Sequence, residues 1–271
     1  MKPERPVMRY HRGKWRIAPW IISNFCAHDI YCEPYAGAAS VFMRKSRVHG
    51  EVLNDIDRDI VNVFRVLRDP EAAAVLERMV RLTPFSREEF KASYDPTADP
   101  IERARRTLVR SFMGFSTTSI RKSRTGFRAR TYQRNQTGPV DWRSWPDQIT
   151  RFVERMQGVV IENLDAIDCI HLHDSPKTLF YVDPPYLKET RSSGLRGYRH
   201  EMTDDDHEKL LNVLRKIQGM VVISGYDNDM YNSILHGWVK QERFALADGG
   251  KKRTEVLWMN FQRQQTLFAC R

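Results

Sequence analysis

The chain has 271 residues, of which 41% are hydrophobic and 11% aromatic, an ordinary globular composition that excludes a disordered or fibrous protein and suits one large or two modest domains. No apolar stretch nears the roughly 18 residues needed to span a bilayer, the opening Met1–Pro6 lacks a secretion-signal core, and four cysteines without CxxC or zinc spacing suit reduced thiols in the cytoplasm. Lys plus Arg (44) exceed Asp plus Glu (34) by ten, and the excess lies wholly between Arg103 and Val140, where ten bases meet no acid; a neutral body with one basic insert suits a nucleic-acid partner.

In chain order, residues 29–59 read as a strand–turn–helix–strand unit. Ile30–Cys32 is a strand, Pro34–Ala39 a small-residue turn, Ser40 opens a helix, and Glu51–Asn54 is a second strand ending at Asp55. Helical spacing covers 59–68, and Asp69-Pro70 closes it. Glu71–Val80, Ser86–Tyr94 and Ile101–Phe112 are further helices, with Ser86 and Glu89 placed as a capping box. Residues 113–146 show no clear period, and a helix over 147–156 leads to strands at 158–162 and 178–182. The polar stretch 187–202 reads as a mobile loop. Thr203 with Asp206 caps a helix over 204–217, so the acids Asp204–Asp206 read as a helix start rather than a metal site. Met220–Ser224 is another buried strand, and Trp238–Ala245 with Thr254–Phe261 suits a closing hairpin. Strands alternate with helices except across 60–157, which reads as a domain inserted between strands of the first.

Three places carry chemistry. Asp183-Pro184-Pro185-Tyr186 follows the apolar run Thr178–Val182, and its two prolines hold a carboxylate and a ring rigidly at a strand's carboxyl end, where open α/β sheets bind ligands. Asp183 and the Pro184 carbonyl are acceptors only, which suits an incoming amine, with Tyr186 as a stacking face; the same tetrapeptide also serves as plain strand-ending punctuation. The turn Glu33–Ser40 lets backbone approach a ligand closely, though tight strand–helix turns need small residues anyway. Asp55 follows 18 residues after Gly37, a spacing at which a carboxylate accepts ribose hydroxyls, or else caps the next helix. His171 and His173 fall in a loop before Pro176, and no metal is expected.

The segments Glu33-Pro-Tyr-Ala-Gly-Ala-Ala-Ser-Val-Phe42, Leu53-Asn-Asp-Ile-Asp57 and Asp183-Pro-Pro-Tyr186, with Tyr10-His-Arg-Gly-Lys14, resemble in order and spacing the Dam-like DNA adenine-N6 methyltransferases. The likeness extends through Phe85–Phe90 to Lys252–Trp258 and so covers nearly the whole chain. It implies a Rossmann-like, S-adenosylmethionine-dependent α/β sheet over 1–58 and 152–271, with a mainly helical target-recognition domain over 59–151. Tyr10, Lys14, Tyr35, Gly37, Asp55, Asp165 and Asp183 would then hold the cofactor, and Asp183, Pro184 and Tyr186 the flipped base. The family's turn often carries glycine where Ala39 stands, and Phe115–Asn135 does not reproduce the sequence of the GATC-reading members.

Arg103, Arg105, Arg106 and Arg110 are spaced along a helix to track phosphates. Arg121, Lys122, Arg124, Arg128, Arg130 and Arg134 stand on an irregular stretch with Gln133, Asn135 and Gln136, types that read base edges; a merely solvated loop is the alternative. The expected enzyme is a DNA adenine-N6 methyltransferase acting on double-stranded DNA as a monomer, bacterial or phage-encoded, with or without a partner nuclease. Alternatives are methylation of cytosine N4 or RNA guanine N2, or a catalytically dead DNA-binding relative.

Overall fold

A computed structural model describes residues 2–10, 13–115, 125–129, 138–187, 200–246 and 252–262. Short apolar runs form β1 (Ile30–Glu33), β2 (Gly50–Asn54), β3 (Val160–Glu162), β4 (Thr178–Val182), β5 (Met220–Tyr226), β6 (Val239–Leu246) and β7 (Lys252–Met259). Among the described residues they make one sheet in the order β3-β2-β1-β4-β5-β7-β6. The first five strands are parallel, and β7 enters antiparallel between β5 and β6. From β1 the chain builds outward through β2 and β3, then returns to the other side of β1 for β4 and β5. The carboxyl ends of β1 and β4 therefore flank the point where the winding reverses, and a crevice opens there.

The period-two alternation of strands divides the interior between the two sheet faces. Leu179 and Tyr181 of β4 and Val222 of β5 enter one core. Phe180, Val182, Val221 and Ile223 enter the other. The second face is covered by α9 (Ala166–His173), α10 (Asp204–Leu214) and α11 (Asp229–Ile234). On the first face lie α1 (Ala18–Ile22), α2 (Ser40–Arg44), α3 (Arg58–Arg68), α4 (Pro70–Leu82), α5 (Arg87–Ala92), α6 (Pro100–Met113), α7 (Gly138–Ser144) and α8 (Ile149–Met156).

Helix α3 organises this layer, burying Ile60, Val61, Val63, Phe64, Val66 and Leu67. Its cap is Asp57, whose Oδ1 accepts from the Asp59 N–H at 2.9 Å, so Asp55 is left for another task. Thr203 and Asp206 form the expected reciprocal capping box of α10. Ser86 caps α5 as expected, but the Glu89 carboxylate turns instead to Arg105, 2.8 Å away. The elements α1, α7, α9 and α11 were not expected from the sequence, being five to eight residues long, too short for a clear helical period. His171 and His173 consequently lie in the last turn of α9, not in a loop.

Leu76, Leu108, Phe112, Trp142, Trp145 and Phe152 join the same core as Phe42, Leu53 and Tyr181, so among the described residues the helices of the expected inserted segment pack on the core of the sheet. Trp145 donates to the Val7 carbonyl at 2.6 Å, and Arg155 of α8 reaches the sheet. The Arg155 guanidinium donates to both Glu51 oxygens, at 2.5 and 2.8 Å, and to the Phe42 carbonyl, with Lys45 3.7 Å from the same carboxylate. These side chains are almost completely buried. Removing the carboxylate that both cations contact strands them in low dielectric. Glu51→Ala is therefore expected to lower unfolding free energy by about 3–5 kcal/mol, read by urea denaturation.

Candidate active site

The crevice beside β1 and β4 holds a cavity of about 300 Å³. Tyr10, Lys14, Tyr35, Gly37, Asp55, Asp165 and Asp183, the residues expected to hold a cofactor, all line it, although they are scattered over more than 170 positions of sequence. Parallel strands bring them together because successive βα turns share one end of the sheet. Glu33, Asp57, Glu201 and Asp206 add further acids to the wall, against the cations Lys14 and Lys209. A wall of that sign favours a cationic guest.

The turn after β1 is shaped by two left-handed residues, Gly37 (φ 51°) and Ala39 (φ 49°). A Cβ on Gly37 would stand 2.9 Å from the Tyr10 ring, so the ring closes directly over the bare glycine. Ala39 adopts a conformation that costs a non-glycine residue about 1–2 kcal/mol, which its completely buried methyl group helps to offset. Asp55 braces the turn, its Oδ2 accepting from the Gly37 N–H at 2.9 Å and its Oδ1 from the Asp57 N–H at 2.8 Å. Burial pushes the Asp55 carboxyl up to about 6 in spite of these two donors. Asp165 lines the cavity while also capping α9 through the Ile167 N–H at 2.9 Å.

The Asp-Pro-Pro-Tyr segment leaves β4 directly at the cavity edge. Asp183 Oδ1 accepts from Ser224 Oγ at 2.8 Å and lies 3.3 Å from Lys14 Nζ. Ser224 is itself 3.1 Å from the Tyr181 hydroxyl, so β5 and β4 jointly set the carboxylate's orientation. Among the described residues no donor is directed at Oδ2, and the Asp183 side chain keeps 23% of its exposure. Burial raises the Asp183 carboxyl, with Lys14 opposing. Pro184 is buried behind it, whereas Pro185 lines the cavity. Tyr186 is not the open stacking face expected from the sequence. Its ring is 4% exposed, packed edge-to-face on Tyr226 with centroids 4.7 Å apart, and the Lys14 ammonium lies 4.5 Å from its centre.

Three residues of this constellation were not singled out from sequence: Glu33, Ser224 and Glu255. Glu33 is buried, and its Oε1 accepts from the Tyr31 hydroxyl and the Phe42 N–H, each at 2.7 Å, at the start of α2. Desolvation pushes its carboxyl up to about 8. A glutamate in an otherwise apolar strand was the available signal. Ser224 carried none, since a serine in a strand is commonplace, and Glu255 acquires its partners only by tertiary contact.

The arginines expected to track phosphates on α6 are committed elsewhere. Arg103 pairs with Asp59 at 2.7 Å, Arg105 with Glu102 and Glu89 at 2.6 and 2.8 Å, and Arg106 with Glu102 at 2.6 Å. Arg110 is buried, donating to the Ser93 carbonyl and to Thr107 and lying 3.3 Å from Asp59, so its expected DNA contact is not borne by this structure. Arg128, 14% exposed, is 3.3 Å from Asp141. Within the irregular stretch, Gly114 and Phe127 form an antiparallel bridge. Phe127 is anchored against Phe85 and Phe90, with ring centroids 5.3 and 5.9 Å away. Arg121, Lys122, Arg124, Arg130 and Arg134 lie outside the described residues.

This sheet order, with its antiparallel seventh strand and its acid-lined crevice at the β1/β4 reversal, defines a Rossmann-like methyltransferase. Residues 10–253 match the model of the D12 class N6 adenine-specific DNA methyltransferases, and the chain belongs to that family. It is 22% identical to the DNA adenine methylases of Vibrio cholerae and Escherichia coli, each alignment covering 95% of this chain and 96% or 95% of the relative. Among solved structures, the rRNA methyltransferase aviRa from Streptomyces viridochromogenes aligns over 93% of this chain and 89% of its own, with a TM-score of 0.45 and 10% identity. The family is adenine-specific, which separates the expected adenine chemistry from the cytosine-N4 and RNA alternatives, and its methyl donor is S-adenosylmethionine.

The cavity suits that donor. Its acids complement a sulfonium and an ammonium, Gly37 leaves room against Tyr10, and Ser40 Oγ is buried at the cavity wall with no hydrogen-bond partner among the described residues, so a ligand atom would satisfy it. Asp55 accepts hydroxyl hydrogens best as a carboxylate, and that form is lost as pH falls through about 6. Cofactor affinity measured by calorimetry should therefore drop between pH 7.5 and 5. Asp55→Asn should remove the part of that drop centred near 6, and at pH 7.5 it should weaken binding about 10–100-fold, the worth of a hydrogen bond to a charged group.

Proposed function

We propose that this protein methylates a specific adenine of double-stranded DNA after turning the base out of the helix, with Asp183, the Pro184 carbonyl and Tyr186 receiving it. The observation that carries this reading is the divided Asp183 carboxylate. Ser224 and Lys14 lie at Oδ1, among the described residues no donor is directed at Oδ2, and the Asp183 side chain lines the cavity. An adenine amine is a weak nucleophile because its lone pair is conjugated with the ring. Acceptors at Asp183 Oδ2 and the Pro184 carbonyl would hold both amine hydrogens and draw the nitrogen toward tetrahedral geometry, freeing the lone pair along one direction. The cofactor held beside them would supply an electrophilic methyl group, the electrons of its S–CH3 bond staying on sulfur to leave a neutral thioether. As the new N–C bond forms, the nitrogen gains positive charge and releases one of its hydrogens as a proton. Asp183, whose burial raises its carboxyl, is placed to accept that proton and pass it to solvent.

Tyr10, Lys14, Tyr35, Gly37, Asp55 and Asp165 hold the cofactor in this reading, with Ser40 and Glu33 added from the cavity wall. Tyr186 would stack on the extruded base, replacing part of the lost duplex stacking, worth about 1–3 kcal/mol per base. Its present burial means that Lys14 or Tyr226 must shift first. The segment 59–151 reads the target, and its DNA contacts fall to Arg121, Lys122, Arg124, Arg130 and Arg134 rather than to the paired arginines of α6 or to Arg128, which is paired with Asp141. The protein acts as a monomer in the cytoplasm. No described helix is long and apolar enough to cross a membrane.

Asp183→Ala should reduce N6-methyladenine formation by more than 1,000-fold while leaving DNA affinity within about threefold, scored by nucleoside analysis of methylated DNA and by anisotropy. A parent protein that binds DNA and forms no methylated base would instead establish the non-catalytic reading. Arg124→Glu should weaken DNA binding and lower its dependence on salt by roughly one phosphate contact, followed by titration from 50 to 200 mM salt.

A further inference from the structure

Glu255 belongs to no motif of the cofactor turn or the Asp-Pro-Pro-Tyr segment. It sits on β7, opposite Tyr226 of β5 and Arg243 of β6, and is 5% exposed. Its neighbours Val256 to Met259 are all buried apolar residues, so an ionised side chain here is costly unless it is paired. The partners lie in the active site. Glu255 Oε1 is 2.5 Å from Lys14 Nζ and accepts from the Tyr186 hydroxyl, and Lys14 also donates to that hydroxyl. Lys14 is nearer to Glu255 than to Asp183, which stands 3.3 Å away.

We propose that Glu255 is a positioning residue for methyl transfer, holding the Lys14 ammonium and the Tyr186 hydroxyl so that Asp183 keeps an acceptor for the target amine. The proposal rests on the functional reading above. A buried ammonium needs a full counter-charge. With Glu255 present, that charge is shared, and Lys14 meets Asp183 only along the edge already taken by Ser224. Without it, Asp183 is the nearest carboxylate among the described residues, and Lys14 would close on the carboxylate that must accept the adenine hydrogens. Tyr186 would lose the Glu255 acceptor of its hydroxyl in the same step, and with it a fixed end for the ring.

The test is a double-mutant cycle on the full-length protein, read by single-turnover N6-methyladenine formation at saturating cofactor and DNA. Base turning is read in parallel with 2-aminopurine at the target adenine. Glu255→Gln keeps the shape and removes the charge, and it is expected to slow transfer 10–100-fold with cofactor affinity changed less than fivefold. In a Lys14→Met background the same change is expected to cost less than threefold, because the cation that Glu255 restrains is gone. Losses of equal size in both backgrounds, or a loss below threefold in the parent, would overturn the proposal. If Glu255→Gln does not fold, as judged by thermal melting, Glu255→Asp takes its place in the cycle, since it keeps the charge but withdraws it by one methylene. Equal losses in both backgrounds overturn the proposal there too. The parent is assayed first. A parent that forms no N6-methyladenine sinks the functional reading and this proposal together, whereas an active parent indifferent to Glu255 sinks this proposal alone.

Discussion

The parallel pairing of β1 with β4 is the constraint from which the rest of the molecule follows. Ile30, Tyr31 and Cys32 lie in register with Thr178, Leu179 and Phe180, so the turn just past Glu33 and the residues just past Val182 emerge side by side. β2 and β3 occupy one side of this pair and β5 the other, so the chain leaves the two strand ends in opposite directions. The crevice is thus a product of winding order. Everything with a chemical role here, from the Gly37 turn to the Asp183 carboxylate, sits where it does because of that register.

Charge is distributed by tertiary structure in a way no local count reveals. The run from Arg103 to Val140 contains ten bases and no acid, yet Asp59, Glu89 and Glu102 lie against four of those bases in the folded chain. An arginine helix that looks built for phosphates is in fact joined to α3 and α5. Half-buried pairs of this kind orient helices more than they stabilise them. The active site uses the same economy of partners: Lys14 serves two carboxylates and a phenol, and Ser224 links Asp183 to Tyr181.

The cofactor side of the site was more legible in the sequence than the base side. Gly37, Asp55 and Asp183 are recognisable because each solves a local problem at a strand end: a left-handed turn, a brace for that turn, a stiff exit. Tyr186 was recognised as an aromatic ring beside a carboxylate, but its burial under Lys14 and Tyr226 depends on strands far away in sequence. Ala39 shows the converse. Its left-handed backbone accounts for glycine being common at that position in related turns, and its buried methyl shows how this chain tolerates alanine.

By itself the sequence determined the alternation of strands and helices, the principal helix caps, the turn chemistry and the adenine-methylating family, because these depend on residues close together or on motifs in fixed order. Only the tertiary structure decided that the helical segment shares its core with the sheet, since a hydrophobic face does not name its partner. Only it paired the α6 arginines with acids from other helices, and only it brought Glu255 to Lys14 across 241 positions of chain. Coulombic and hydrogen-bonding partners are chosen by distance in space, and local spacing carries no record of that distance.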